Sequence, residues 1–226
     1  MNFNAFFGIS KEQIKKTCIL CQNADLPLFS SKSTAGLFVK TADAPKAAAI
    51  ALKNNFLAGD CVLLLKDSPC KNIILFGSCG ARAHIKPGDI IAVEKTYNYE
   101  SFSHTLFESG LHEYGVFDKD LIELFCKKYR KEKIIKADCA CVSSLVLEPE
   151  LAMRFRNGGP EIFDMESSIV LSGAKKINAK ALCLMYACDH IEKNPLGAPF
   201  DAKIKQKISS ARKKLAELIL DFCNEL

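Results

Sequence analysis

The chain predicts an α/β protein built on a mainly parallel sheet with helices over both faces. Three observations carry that expectation. Short continuous apolar runs, at 61–66 and 72–77, lack polar alternation, as strands buried on both faces do. Stretches with apolar residues three and four apart alternate with such runs along the chain. The composition, 49% hydrophobic and 25% charged over 226 residues, is globular and sufficient for one sizeable core. No linker rich in Ser, Pro or charge divides the sequence, so residues 1–226 read as a single domain.

Taken in order, the first apolar run is TCILCQ at 17–22. Residues 42–56 are rich in alanine, carry Pro45 near the start, and predict a helix. Strands are expected at 61–66 and 72–77, the second ending in a turn at Gly77 and Gly80 that allows close backbone approach. A PGD at 87–89 punctuates before a strand at 90–99. Asp118 can cap a helix over 119–131 whose Leu121, Ile122, Phe125 and Tyr129 share one face. A strand at 133–142, a short helix at 148–157 and a GGP stop at 158–160 follow. A helix at 165–177, a buried strand at 179–189 and a closing helix at 201–226 complete the series.

Charge and cysteine usage exclude several functions. The formal charge of +5 is mild, and the basic clusters at 127–133 and 211–218 read as helix surface. Without aromatic interleaving they do not indicate a nucleic-acid partner. Nowhere do ~18 apolar residues run uninterrupted, so no membrane association is expected. Eleven cysteines, an odd number behind no signal-like N-terminus, fit reduced thiols in a cytoplasmic protein. Cys18 and Cys21 form a C-x-x-C, but the C-x-C at 139–141 is no second zinc half-site, so no metal is expected. The thiols read as small hydrophobes.

In sheets of this kind ligands bind beyond the carboxyl ends of strands. That rule singles out 77–80, 143–148 and 188–190. At the first, Ser78 offers a hydroxyl between two glycines, in neither a Walker loop nor a G-x-G-x-x-G. A strand simply turning explains the stretch equally well. In FDMESS at 163–168, Asp164 and Glu166 flank Met165 at the opening of a helix. The helix macrodipole accounts for one acid, whereas a carboxylate that accepts two sugar hydroxyls accounts for Glu166 beside Met165. In YACDHI at 186–191, Asp189 ends an apolar strand, where desolvation raises a carboxyl pKa and suits it to act as an acid near neutral pH. A turn-forming Asp accounts for it equally well. His190 reads as an orienting or structural residue, since no Ser or Cys sits in a nucleophile elbow.

Together, IILFGSCGARAHIKPGDIIA, FDMESS and AKALCLMYACDHI resemble the nucleoside phosphorylase–nucleosidase superfamily, in the same order, across about residues 72–191. The resemblance implies a three-layer α/β/α fold with a central mixed, partly barrel-like sheet, and cleavage of a nucleoside N-glycosidic bond. It implies that Ser78 and Gly80 lie beneath the sugar, with Ser78 meeting the attacking water or phosphate. Met165 and Glu166 would hold the ribose, and Asp189 would protonate the base. Asp164, Val146 and His190 would support the pocket. No cofactor is implied beyond inorganic phosphate as co-substrate in a phosphorylase, and the expected assembly is a homo-oligomer, dimer or hexamer.

The departures matter as much. Phosphate-using members carry an arginine where this chain has Leu75, and their early G-D-P-x-R has no arginine counterpart in 21–31. A phosphate dianion without guanidinium contacts is poorly held, so hydrolysis is favoured over phosphorolysis. The early G-A-M-x-x-E of the hydrolases is missing as well. Val146 and Leu147 stand where the family places stacking aromatics, and Cys188 stands for its Ser before the acid. A phosphorylase with an atypical phosphate site, or a nucleoside binder without turnover, remain the alternatives.

Overall fold

The structure, a computed structural model, describes residues 1–82, 84–99, 114–146, 148–155, 158–193, 195 and 197–226. Ten strands among them form one mixed sheet. They are β1 (Thr17–Gln22), β2 (Thr34–Ala35), β3 (Val39–Ala44), β4 (Ala47–Leu52), β5 (Asn72–Ala81), β6 (Ile90–Tyr99), β7 (Tyr114–Val116), β8 (Ile134–Val142), β9 (Ile162–Asp164) and β10 (Lys180–His190). The helices are α1 (Phe3–Phe7), α2 (Ala58–Leu64), α3 (Lys119–Lys128), α4 (Glu148–Arg154), α5 (Ser167–Lys176) and α6 (Ala202–Phe222).

Pairing closes part of the sheet on itself. β5 pairs β10 in parallel, β10 pairs β6 antiparallel, β6 pairs β8 and β8 pairs β9 in parallel, and β9 returns antiparallel to β5. The remaining strands extend from β5 as an open wing in the order β1, β4, β3, β2. This is the mixed, partly barrel-like sheet that the resemblance implied. Bulges bend strands and raise their twist, and the ring contains two, at Val93–Thr96 of β6 and Ala187–Asp189 of β10. Closure also removes strand edges at the site. Burial of Phe6, Phe7, Phe76, Phe125 and Phe222 marks the core between sheet and helices.

Three expectations are corrected. Residues 42–56 are not a helix but mainly the β3–β4 hairpin, turning through Pro45 and a left-handed Lys46 with φ 59°. β4 lies between β1 and β3 with every residue buried, and two neighbouring strands outweigh alanine's helical propensity, a weak preference of a few tenths of a kcal/mol per residue. Residues 61–66 are not a strand but the end of α2 and a 3₁₀ turn, with Cys61, Val62 and Leu65 buried. Six apolar residues read the same in a buried helix as in a buried strand. Finally, no turn interrupts 77–80: β5 runs on through Gly77 and Gly80 to Ala81, and neither glycine has a positive φ.

The other elements follow their patterns. Asp118 caps α3 by accepting from Leu121 N at 3.0 Å, and Leu121, Ile122 and Phe125 are buried on one face. Gly88 turns the 87–89 loop at φ 89° and donates to the Ala187 carbonyl, tying that loop to β10. α5 packs on α2, where a Cβ on Gly173 would meet Val62 at 2.9 Å. Among the described residues no helix is long and apolar enough to cross a membrane.

Candidate active site

Strand ends converge on one cavity of about 300 Å³, within the range of small-molecule sites. β1 contributes Gln22; β5 contributes Ser78, Cys79 and Gly80; β9 contributes Phe163 and Asp164. Met165 and Glu166 enter ahead of α5, Glu148 opens α4, and Cys188 with Asp189 comes from β10. A hollow of about 490 Å³ between Ile9, Lys32, Thr41 and Asp43 is larger, but Asp43, the acid on its wall, is 83% exposed. It gathers no buried carboxyls.

Side chains alternate faces along a strand, so Cys188 and Asp189 should not both face one cavity. The bulge explains why they do. Ala187 pairs with Cys79 and Asp189 with Gly80, leaving Cys188 as the extra residue. The Cys188 thiol donates to Asp189 Oδ1 at 3.1 Å, and Ser78 hydrogen-bonds to Cys188 and to Tyr186. Burial, followed by the Asp189 charge, raises the Cys188 pKa, so the thiol keeps its proton as a donor.

FDMESS folds around Asp164. Its Oδ2 accepts from the backbone N–H of Glu166 at 3.1 Å and of Ser167 at 2.7 Å, while Ser167 Oγ and Cys139 Sγ donate to Oδ1 at 2.6 and 3.3 Å. Ser167 Oγ also bonds Thr96 Oγ1 at 2.7 Å. Asp164 thus satisfies the first amides of α5, as an acid at a helix N-terminus should. Burial raises its carboxyl pKa, and these donors offset that rise only in part.

Glu166 differs. It is 9% exposed, and its Oε1 has no hydrogen-bond partner among the described residues. Burial, then the Asp164 charge, pushes its pKa up to about 8 against the pull of a Gln22 hydrogen bond. Glu148 is also buried; desolvation, followed by the charges of Asp189 and Asp164, raises it to about 7. Four carboxyls therefore face one cavity with no Lys, Arg or His among its described lining residues.

Of the expected site residues, Ser78, Gly80, Asp164, Met165, Glu166 and Asp189 come together on this wall. Val146 does not: it is 88% exposed, and the preceding Leu145, itself half-exposed, borders the cavity in its place. Leu147 lies outside the described residues. His190 is buried at the end of β10, opposite Ala81, and does not line the cavity. Gln22, Phe163 and Glu148 were missed. Gln22 is the lone polar residue ending an apolar strand, and Phe163 opens the acidic motif. Glu148 reads in the sequence as an acid favoured at a helix start. Among the described residues no group of three or more His, Cys, Asp or Glu is arranged to hold a metal.

A family model of the phosphorylase superfamily matches residues 58–224. Purine nucleoside phosphorylase DeoD-type 2 of Vibrio cholerae is 27% identical over 157 residues, covering 68% of this chain and 65% of that protein. Among solved structures, uridine phosphorylase of Vibrio fischeri superposes with a TM-score of 0.80 at 15% identity, covering 96% of this chain and 95% of that one. Purine nucleoside phosphorylase of Toxoplasma gondii gives 0.78 at 14%, covering 95% and 92%. The 5′-methylthioadenosine/S-adenosyl homocysteine nucleosidase of Campylobacter jejuni gives 0.74 at 15%, covering 94% and 100%. Three motifs at the strand ends, a sheet closed around them and a family match across 58–224 lead to one conclusion: the chain belongs to the phosphorylase superfamily.

Proposed function

We propose that this protein, acting as a single domain, hydrolyses the N-glycosidic bond of a purine-like nucleoside. The observation that carries the reading is the cavity wall, with four carboxyls and no described cation. Carboxyl oxygens facing a developing oxocarbenium sugar favour it, whereas a phosphate dianion finds no cation among the described lining residues to hold it. The loop where phosphate-using relatives carry an arginine is reached by Arg212, but that guanidinium is engaged by Asp25 and the Ala24 carbonyl. The 27% identity to a purine nucleoside phosphorylase supports a purine-like base.

The roles follow from chemistry. The unpartnered Glu166 Oε1 accepts from the sugar hydroxyls, and Met165 packs beneath the ring. Asp189 gives its proton to the departing base, which keeps the electron pair of the broken C1′–N bond. Water, placed by Ser78, supplies the oxygen to C1′ and releases its proton to solvent.

The test is a nucleoside panel incubated with and without phosphate, with free base and sugar measured. Free ribose in the absence of phosphate is expected. Asp189→Asn should slow release of purine bases by roughly 10²–10⁴-fold, the usual worth of a general acid. Ribose 1-phosphate formed only when phosphate is present would replace hydrolysis with phosphorolysis. A nucleoside that raises the melting temperature but is not cleaved would leave a binding protein.

A further inference from the structure

We propose that Glu148 is a positioning residue for the acid: its carboxyl pairs with that of Asp189, and the two hold one proton that leaves through Asp189. The inference rests on the nucleoside-cleaving reading and adds a residue that the motifs did not supply.

The geometry comes from the β5–β10 pairing. Asp189 lies opposite Gly80, at the ~4.8 Å spacing of neighbouring strands. The Glu148 carboxyl lies directly over Gly80, so close that a Cβ there would overlap its Oε1. Helix α4 therefore lays one carboxyl on the backbone position that the other carboxyl's strand partners. Both side chains are buried, at 5% and 3% exposed, and both line the cavity. Two buried carboxyls that meet one cavity at the same glycine, the charge of one raising the other, do not both ionise readily near neutral pH, so one proton stays with the pair.

The surrounding groups reinforce this. Asp164 at the end of β9 and Glu166 at the head of α5 add carboxyls. Cys79 on β5 and Cys188 on β10 are thiols whose pKa burial raises. Buried Arg82, packed on α4, donates to the Ala152 carbonyl. His190, next along β10, does not line the cavity. Burial and the neighbouring Asp189 charge together hold the Glu148 carboxyl at about 7.

In turnover the C1′–N bond breaks and its electron pair goes to the base. The proton passes from Asp189 to that base, leaving both carboxyls ionised. Their repulsion then draws a proton back from solvent, which has received one from the attacking water.

The experiment is a pH titration of the protein, labelled with ¹³C at Asp and Glu side-chain carboxyls, followed by NMR in wild type, Glu148→Gln and Asp189→Asn. In Glu148→Gln the Asp189 carboxyl should titrate lower by about one pH unit or more, because its like-charged neighbour is gone. In Asp189→Asn, Glu148 should fall from about 7 towards an ordinary carboxyl. The alkaline limb of the pH–rate profile should move down with the Asp189 titration in Glu148→Gln, which loss of packing alone would not do. An Asp189 titration unmoved by Glu148→Gln overturns the pair. If that variant does not fold, the reciprocal titration of Glu148 in Asp189→Asn decides, and an unmoved Glu148 overturns it equally. A wild type that cleaves no nucleoside overturns the reading of function, while the titrations still decide the pair.

Discussion

Glu166 shows how one side chain can be costly to the free protein and useful to it. A buried acceptor without a partner costs about 1–3 kcal/mol, and Glu166 Oε1 is such an atom. Sugar hydroxyls would supply the missing donors. Glu166→Gln keeps the shape but turns one acceptor into a donor. We expect kcat/KM for nucleosides to fall roughly 10–100-fold, about the worth of one or two hydrogen bonds to the sugar. The same variant should be at least as heat-stable as wild type at pH 8, where the unfolded glutamate is ionised and folding must either bury that charge or take up a proton. Steady-state kinetics and a thermal melt check the two halves; lost stability with unchanged kinetics would make Glu166 structural.

At the scale of elements, the turn from β9 into α5 is organised by Asp164 rather than by the residue at the cap position. Glu166 occupies that position without a capping hydrogen bond of its own, which leaves its carboxyl for the cavity. Asp164 takes four donors instead. Asp164→Ala should therefore lower stability by about 1–3 kcal/mol, read by urea denaturation. It should also cut kcat/KM by releasing Met165 and Glu166, although Asp164 is assigned no contact with substrate. Full activity in a destabilised Asp164→Ala would show that the turn holds its shape by packing alone. The elements also show what the sequence conceals. FDMESS announced a helix head with two acids, but their division of labour depends on Cys139 of β8 and Thr96 of β6, more than twenty residues away.

For the whole molecule, the carboxyl cluster sets a pH dependence of stability. Glu148 and Glu166 have folded values of about 7 and 8, above the ~4.3 of an unfolded glutamate. Between those limits the unfolded chain binds fewer protons than the native one, so stability falls as pH rises. Their contribution is full below about pH 4 and is lost as pH passes through 7 to 8. The melting temperature of the ligand-free protein should thus decline from pH 5 to pH 8.5, and the Glu148→Gln, Glu166→Gln double variant should flatten that decline. A wild-type midpoint that rises across the window would refute the assignment.

The α/β class, most strands and helices from residue 72 onward, and three strand-end motifs that hold nine of the lining residues are legible in the amino-acid order alone. Those features are local: apolar runs, a capping Asp118, and acids and glycines at strand ends. The rest depends on contacts between elements far apart in the chain. The alanine-rich segment became a hairpin because β1 and β3 flank it, and the apolar run at 61–66 became part of a helix and turn because α5 covers it. The supposed glycine turn became straight strand, and a bulge at Cys188 turned Asp189 into the cavity opposite Gly80. Glu148 was legible only as a helix-start acid until ring closure brought α4 over that glycine. Such juxtapositions arise from pairing between distant strands, and no window of sequence contains both partners.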